Sequence, residues 1–277
     1  MKQSKRKQVI PGFGISMGVT LTLLSLIVLI PMASLVINAT SMGFDKFIST
    51  VTERRIAAGY LVSLSCSLAA AIINAFFGVI LAWVLVRYEF PLKRFVDGLI
   101  ELPFALPTAV AGIALTTLYS DKGVLGRALL KTGIRVSYTR LGIIVAMVFI
   151  GIPYVVRTLQ PVLEDLDTQY EEAANILGAG KVRTFFRVIF PELKPALLTG
   201  FGLAFARAAG EYGSVIFIAG NIPYKTEIAP LLIMSKLEQF DYSGANAIAL
   251  VMLAFSFIIL FIINSIQVYS NKFTKEQ

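Results

Sequence analysis

Long apolar runs alternate with short polar ones from one end of the chain to the other. Phe13–Ile37 carries no charge. At about 1.5 Å of rise per residue it exceeds the roughly 30 Å hydrocarbon core of a bilayer, and it outruns the apolar core of about 7–15 residues that a signal peptide has. It is read as an uncleaved first span, kinked at Pro31. With 13–37 as the first, further spans are expected over 56–86, 97–120, 141–163, 195–220 and 242–269. All must be helical, because backbone N–H and C=O groups in lipid have to be satisfied within their own segment. The third is irregular: Asp97 and Glu101 precede its apolar part, and Pro103 and Pro107 interrupt it. The pattern predicts an all-α polytopic membrane protein of six spans in a single domain, 1–277, with 164–194 as its longest polar loop.

Composition supports this. Of 277 residues, 56% are hydrophobic and 15% charged, against about 25% charged in soluble domains, and mean hydropathy is +0.76. The length leaves no room for a second, soluble domain. The net charge of +8 is scattered between apolar spans, which fits lipid headgroups and cytoplasmic anchoring and argues against nucleic acid. The chain has no His, so the commonest metal ligand and proton shuttle is missing. Cys66 is the single cysteine and can form no internal disulfide. No metal or cofactor is expected on this chain, and a membrane-embedded enzyme lacks a His, Cys or carboxylate cluster to work with. The bias of Lys and Arg slightly favours cytoplasmic N- and C-termini. Loop 120–140 runs against it, with Lys122, Arg127, Lys131, Arg135 and Arg140 facing only Asp121. That loop is read as a solvated charged face, or as a surface that attracts an acidic protein or an anion over a Debye length of about 8 Å.

Several residues inside the spans are candidates for the substrate path. Arg207 and Glu211 are four apart, so they are expected to share one helix face. A charge at mid-bilayer costs about 2.5–3.5 kcal/mol on insertion scales. The pair is therefore read either as a structural ion pair, drawing in Glu101 or Asp97, or as a polar lining in which Arg207 attracts an oxyanion. Leu102–Gly112 contains Pro103, Pro107 and Thr108. Its two prolines prevent a regular helix and free backbone carbonyls, as a packing kink or as the wall of a cavity. Gly210–Asn221 is rich in small residues that let helices meet closely.

Tyr170–Pro195 is the longest polar segment. It is expected to form two short amphipathic helices broken at Gly178-Ala179-Gly180. Glu171 and Glu172 fall in a first turn, where carboxylates suit the helix dipole. Ala173, Ala174 and Leu177 offer a small-residue face for a close partner, and Gly178 and Gly180 permit a sharp turn. Gly178-Ala179-Gly180-Lys181 is not a phosphate-binding loop. That motif needs Gly five residues before the Gly-Lys pair and Ser or Thr after it, where this chain has Asn175 and Val182.

Glu172, Ala173, Ala174, Gly178, Val188, Phe190 and Pro191 resemble the cytoplasmic loop of binding-protein-dependent ABC importer permeases: Glu-Ala-Ala, three residues, Gly, nine residues, then Ile-x-Leu-Pro. Val188 and Phe190 are apolar departures from Ile and Leu. Together with six spans and the segments 101–112 and 210–221, the chain resembles the sulfate/thiosulfate permease subunit of such an importer. The resemblance implies the ABC type I importer permease fold in the cytoplasmic membrane. It also implies two copies of a cytoplasmic ATPase that carry ATP and Mg and seat on the 170–191 loop, at Glu171, Glu172, Ala173, Ala174, Gly178, Val188, Phe190 and Pro191, a second and distinct permease of the same fold, and an external sulfate-binding protein. ATP closure of the ATPase dimer would then be transmitted through the loop helices, opening the path outward. Molybdate and tungstate permeases share the loop motif, so either anion is an alternative. An ion-coupled secondary transporter is the alternative of another class; it calls for paired broken helices, of which only 101–112 is evident.

Overall fold

The computed structural model describes residues 13–167 and 169–275. Lys2, Lys5, Arg6 and Lys7, on which the expectation of a cytoplasmic N-terminus leans, lie outside the described residues, as does the end of the basic tail, 276–277. The regular elements among the described residues are helices: α1 (Phe13–Thr40), α2 (Phe44–Val51), α3 (Arg54–Arg87), α4 (Lys93–Ala105), α5 (Thr108–Tyr119), α6 (Val124–Leu130), α7 (Arg140–Asp165), α8 (Gln169–Ile176), α9 (Lys181–Ala209), α10 (Val215–Ile218), α11 (Ala229–Glu238) and α12 (Tyr242–Lys275). Five of them, α1, α3, α7, α9 and α12, are long and apolar enough to cross a membrane, and the sharply bent α4–α5 pair adds a sixth candidate if it counts as one span.

α3, α7 and α9 form the centre of the bundle. Small residues set their spacing. A methyl on Gly200 of α9 would lie 2.9 Å from the Val155 Cα of α7, and Gly78 of α3 abuts the Val155 side chain. In lipid, helix association depends on such close packing, since burying apolar surface against apolar tails gains little. Val62, Met147, Val215, Ile218 and Ile228 are buried together toward one end. Leu85, Val156, Leu159, Leu163 and Leu193 are buried together toward the other. α1 leans on α12 and leaves the rest of its apolar surface open, as a lipid-facing span does.

Two prolines are absorbed in the same way. Pro31 and Pro191 each follow one wide turn, Ser25–Leu29 and Phe185–Ile189. In each turn an N–H reaches back five residues, Ile30 to the Ser25 carbonyl and Phe190 to the Phe185 carbonyl. A proline has no N–H and its ring crowds the carbonyl four residues back. Widening one turn relieves both problems without breaking the helix.

The third span departs from a single rod. α4 and α5 meet at 116°. Pro107 disfavours helical angles at the residue before it, and Leu106 is extended, with φ −88° and ψ 135°. Pro103, by contrast, sits inside α4.

The fifth span is displaced from 195–220. Its helix begins at Lys181 and stops at Ala209. The expected second amphipathic helix of the loop is the start of α9, because the wide turn carries the helix through Pro191. The stop comes from Glu211, whose Oε1 accepts bonds from the Ser214 N–H at 2.9 Å and the Ser214 hydroxyl at 3.0 Å. The turn so formed separates α9 from α10.

At the end of the bundle where α3 and α7 begin, side chains tie the loops down. Arg55 forms a two-pronged pair with the buried Glu227, and the Ala229 N–H donates to Ser63 Oγ at 2.7 Å. Arg140 Nε donates to the Lys225 carbonyl at 2.9 Å, and Arg135 pairs with Asp121 at 2.7 Å. Three of the five basic residues of loop 120–140 thus have partners within the chain, since Arg127 also donates to the Lys122 carbonyl at 3.2 Å, but Lys122, Arg127 and Lys131 pair with no carboxylate among the described residues. The steering idea rests on Lys122, Arg127 and Lys131.

Candidate functional site

The polar loop forms an elbow. α8 ends in a glycine cap: the Gly178 N–H donates to the Asn175 carbonyl and the Ala179 N–H to the Ala174 carbonyl, both at 2.9 Å. Gly178 takes φ +78°, which side chains with a Cβ disfavour. Gly180 then caps α9. Glu171 and Glu172 occupy the first turn of α8. Glu171 is held by Arg87, the last residue of α3, at 3.0 Å. Arg87 also donates to the Leu166 carbonyl at 3.2 Å and lies over the Trp83 ring at 5.7 Å. Trp83 meets Phe185 edge-on at 5.4 Å, and Phe185 lies 6.1 Å from Phe190. Val188, Phe190 and Pro191 are half-buried in the joint that carries the elbow into α9.

The small-residue face is split. Ala174 is 8% exposed and packs on its own chain, whereas Ile176 and Leu177 are 87% and 86% exposed. Ala173 and Glu172 are exposed beside them. The outward surface is therefore Glu172, Ala173, Ile176 and Leu177, and Ala174 is not part of it. Ile176 and Arg87 are the residues that sequence reasoning missed. Two adjacent apolar residues at the end of a polar helix were the available signal for the first. Nothing in the sequence signalled that Arg87 would meet Glu171.

The charged candidates also separate. Arg207 pairs with Glu211, which is 2% exposed. Because α9 ends at Ala209, the pair spans a helix terminus and does not lie along one helix face. Neither Glu101 nor Asp97 joins it. Both pair instead with Arg157 of α7, at 2.7 and 2.9 Å. Gln160 completes that cluster, receiving a bond from Arg157 at 2.6 Å. Glu211 is held by Arg207 and by Ser214, which makes a clasp at the helix end, while the Arg207 side chain stays 32% exposed.

Thr108 and the turn after α9 do come together. Gly213 abuts Thr108, and a methyl on Gly112 would lie 2.5 Å from the Ser214 carbonyl oxygen. The two interrupted segments, 106–112 and 210–214, are thus packed on each other inside the bundle. Pro107 makes the bend there, and Pro103 is buried one turn away.

A lipid-embedded bundle with interrupted helices inside it and a stiff polar elbow projecting from one end defines the membrane domain of a transporter. The model of the binding-protein-dependent transport system inner membrane component family matches residues 74–276, and the chain belongs to that family. It is 49% identical to the sulfate transport system permease protein CysT of Salmonella typhimurium, over 94% of each chain. It is 46% identical to the protein of the same name in Synechocystis, over 99% of this chain and 96% of that one. Among solved structures, a bacterial ABC transporter that imports the acidic polysaccharide alginate superposes with a TM-score of 0.77 at 14% identity, covering 93% of this chain and 96% of that chain. The alginate transporter in complex with its alginate-bound periplasmic protein gives 0.75 at 18% identity, covering 91% and 93%. The six-span permease fold expected from the sequence is therefore present, and the chain is a permease subunit, not itself a catalyst.

Proposed function

We propose that the chain is the membrane-spanning subunit of an ATP-driven importer of sulfate, and that Glu172, Ala173, Ile176 and Leu177 are the surface on which a separate ATPase seats. The observation that carries this is the elbow itself. Two large apolar side chains stand almost fully exposed on a helix fixed at one end by the Arg87–Glu171 pair and at the other by the Gly178 cap. An isolated polar loop gains nothing from displaying such residues, whereas a docking helix does. The near full-length similarity to sulfate transport system permeases supports the choice of anion. The alginate transporter bound to its periplasmic protein supports an external receptor as the source of substrate. ATP and Mg belong to the ATPase, in two copies, and a second permease of the same fold completes the path. With the elbow in the cytoplasm, the loops around Glu227 and Arg135 face outward to the receptor.

Glu211 and Arg207 are assigned a structural role, and the packed segments 106–112 and 210–214 form the closed point of the path. The test is uptake of labelled sulfate into sealed vesicles carrying the assembled transporter. Internal ATP and an external sulfate receptor should together drive uptake, and proton or sodium gradients should not. Excess molybdate should leave the rate unchanged. Gradient-driven uptake without ATP, or equal competition by molybdate, would refute the respective half of the proposal.

A further inference from the structure

A groove of about 620 Å³ runs between the end of α3 and the start of α9. One wall carries Val79, Ile80, Trp83 and Arg87 of α3, and the other carries Lys181, Phe185 and Phe186 of α9. A shallower surface continues from it past Lys181, Val182 and Phe186 to Arg183 and Arg187. Ile176 and Leu177 line neither, so the groove lies behind the surface assigned to the ATPase.

Three features define what fits. First, the groove wall runs along α3 from a charged end at Arg87 to an apolar one at Val79 and Ile80. From Arg87, at the end of the span, to Val79 is about 12 Å along a helix, which takes the wall from headgroup depth to acyl-chain depth. Trp83 sits between the two, where an indole ring favours the membrane–water boundary. Second, the deep part is apolar and open: Ile80 and Phe186 are both exposed. Third, the edge of the groove at Lys181 and the shallower surface that continues from it are cationic. Among the described residues, Lys181, Arg183 and Arg187 have no carboxylate within ion-pair distance, and Glu171 on the opposite rim is already taken by Arg87.

We infer that this groove binds an anionic phospholipid, its phosphate against Lys181, Arg183 and Arg187 and one acyl chain along Ile80 and Phe186. A soluble phosphate would satisfy the rim and leave the apolar floor unused. A zwitterionic lipid would bring a cation to a cationic rim. The occupant would hold α9 against α3 at the joint through which the elbow moves.

Trp83 is the single tryptophan of the chain and lines the groove, so it reports the occupant directly. The purified full chain is placed in phosphatidylcholine bilayers. Brominated-acyl phosphatidylglycerol is then titrated against brominated-acyl phosphatidylcholine at equal total bromolipid. Phosphatidylglycerol should reach half-quenching at a several-fold lower mole fraction, and 1 M salt should remove the difference. The triple variant Lys181→Gln, Arg183→Gln, Arg187→Gln should quench equally with both lipids, while Lys181→Arg with Arg183→Lys keeps the preference. Equal quenching of the unaltered chain by the two lipids, or a preference that survives 1 M salt, overturns the inference. Reversal of quenching by millimolar glycerol phosphate would make the site one for soluble phosphate and also overturn it.

Discussion

Gly178 separates two meanings of one turn. A methyl placed on it meets nothing within 4 Å in this chain, so only its backbone, at φ +78°, restricts it internally. Asn tolerates left-handed angles and β-branched residues do not. Gly178→Asn should therefore keep the elbow and ATP-driven uptake. Gly178→Val should cost about 1–2 kcal/mol locally and uncouple transport, as read by uptake and by copurification of the ATPase. If both variants behave alike, the side chain matters through a partner and not through the turn. Asp241 is a residue-scale case with a pH sign. Its carboxylate accepts the Gly244 N–H at 3.0 Å and pairs with Lys236 at 3.1 Å. The Gly244 bond first, then Lys236, hold it below the usual carboxylate range against the opposing effect of burial. A depressed folded pKa gives stability that is present above the unfolded value, near 3.8, and is lost as pH falls through the folded one. Asp241→Ala should lower stability by about 1 kcal/mol at neutral pH, the usual loss for a helix cap. The gap between variant and parent should narrow in melts as pH falls below 3.8.

Among the elements, the long apolar spans were legible because lipid allows only one backbone solution. The glycine cap was legible because Gly178 follows a short amphipathic run. What was not legible depended on partners distant in sequence. Asp97 and Glu101 find Arg157 some sixty residues away, and Arg87 finds Glu171 with the four helices α4 to α7 lying between them in the chain. The four-residue spacing of Arg207 and Glu211 correctly suggested a pair, but it could not reveal that Glu211 also binds Ser214 and ends the helix. The Arg157 cluster ties the bent α4 to α7. Arg157→Gln should destabilise the permease by about 2 kcal/mol, the scale of a hydrogen bond to a charged group. A double-mutant cycle between Arg157 and Asp97 should show coupling, and one between Arg207 and Asp97 should show none within about 0.5 kcal/mol. Coupling in the second cycle would restore the pairing that the spacing suggested.

At the scale of the whole molecule, the account is mechanical. A core of α3, α7 and α9 is continuous with the elbow at both of its roots, through Arg87 below α3 and through the wide turn at Phe185–Ile189. The same α9 ends at the Glu211 turn, packed against the break at Pro107. A displacement of the elbow thus has a helical path to the place where both interrupted segments meet. The most direct measurement of the claim is cysteine crosslinking in ATP-energised membranes, in a Cys66→Ala background. Leu177→Cys and Ile176→Cys should capture the ATP-hydrolysing subunit. Ala174→Cys, buried on its own chain, should capture little. Capture from Ala174→Cys but not from Leu177→Cys, or from none of the three while sulfate uptake proceeds, would contradict the account.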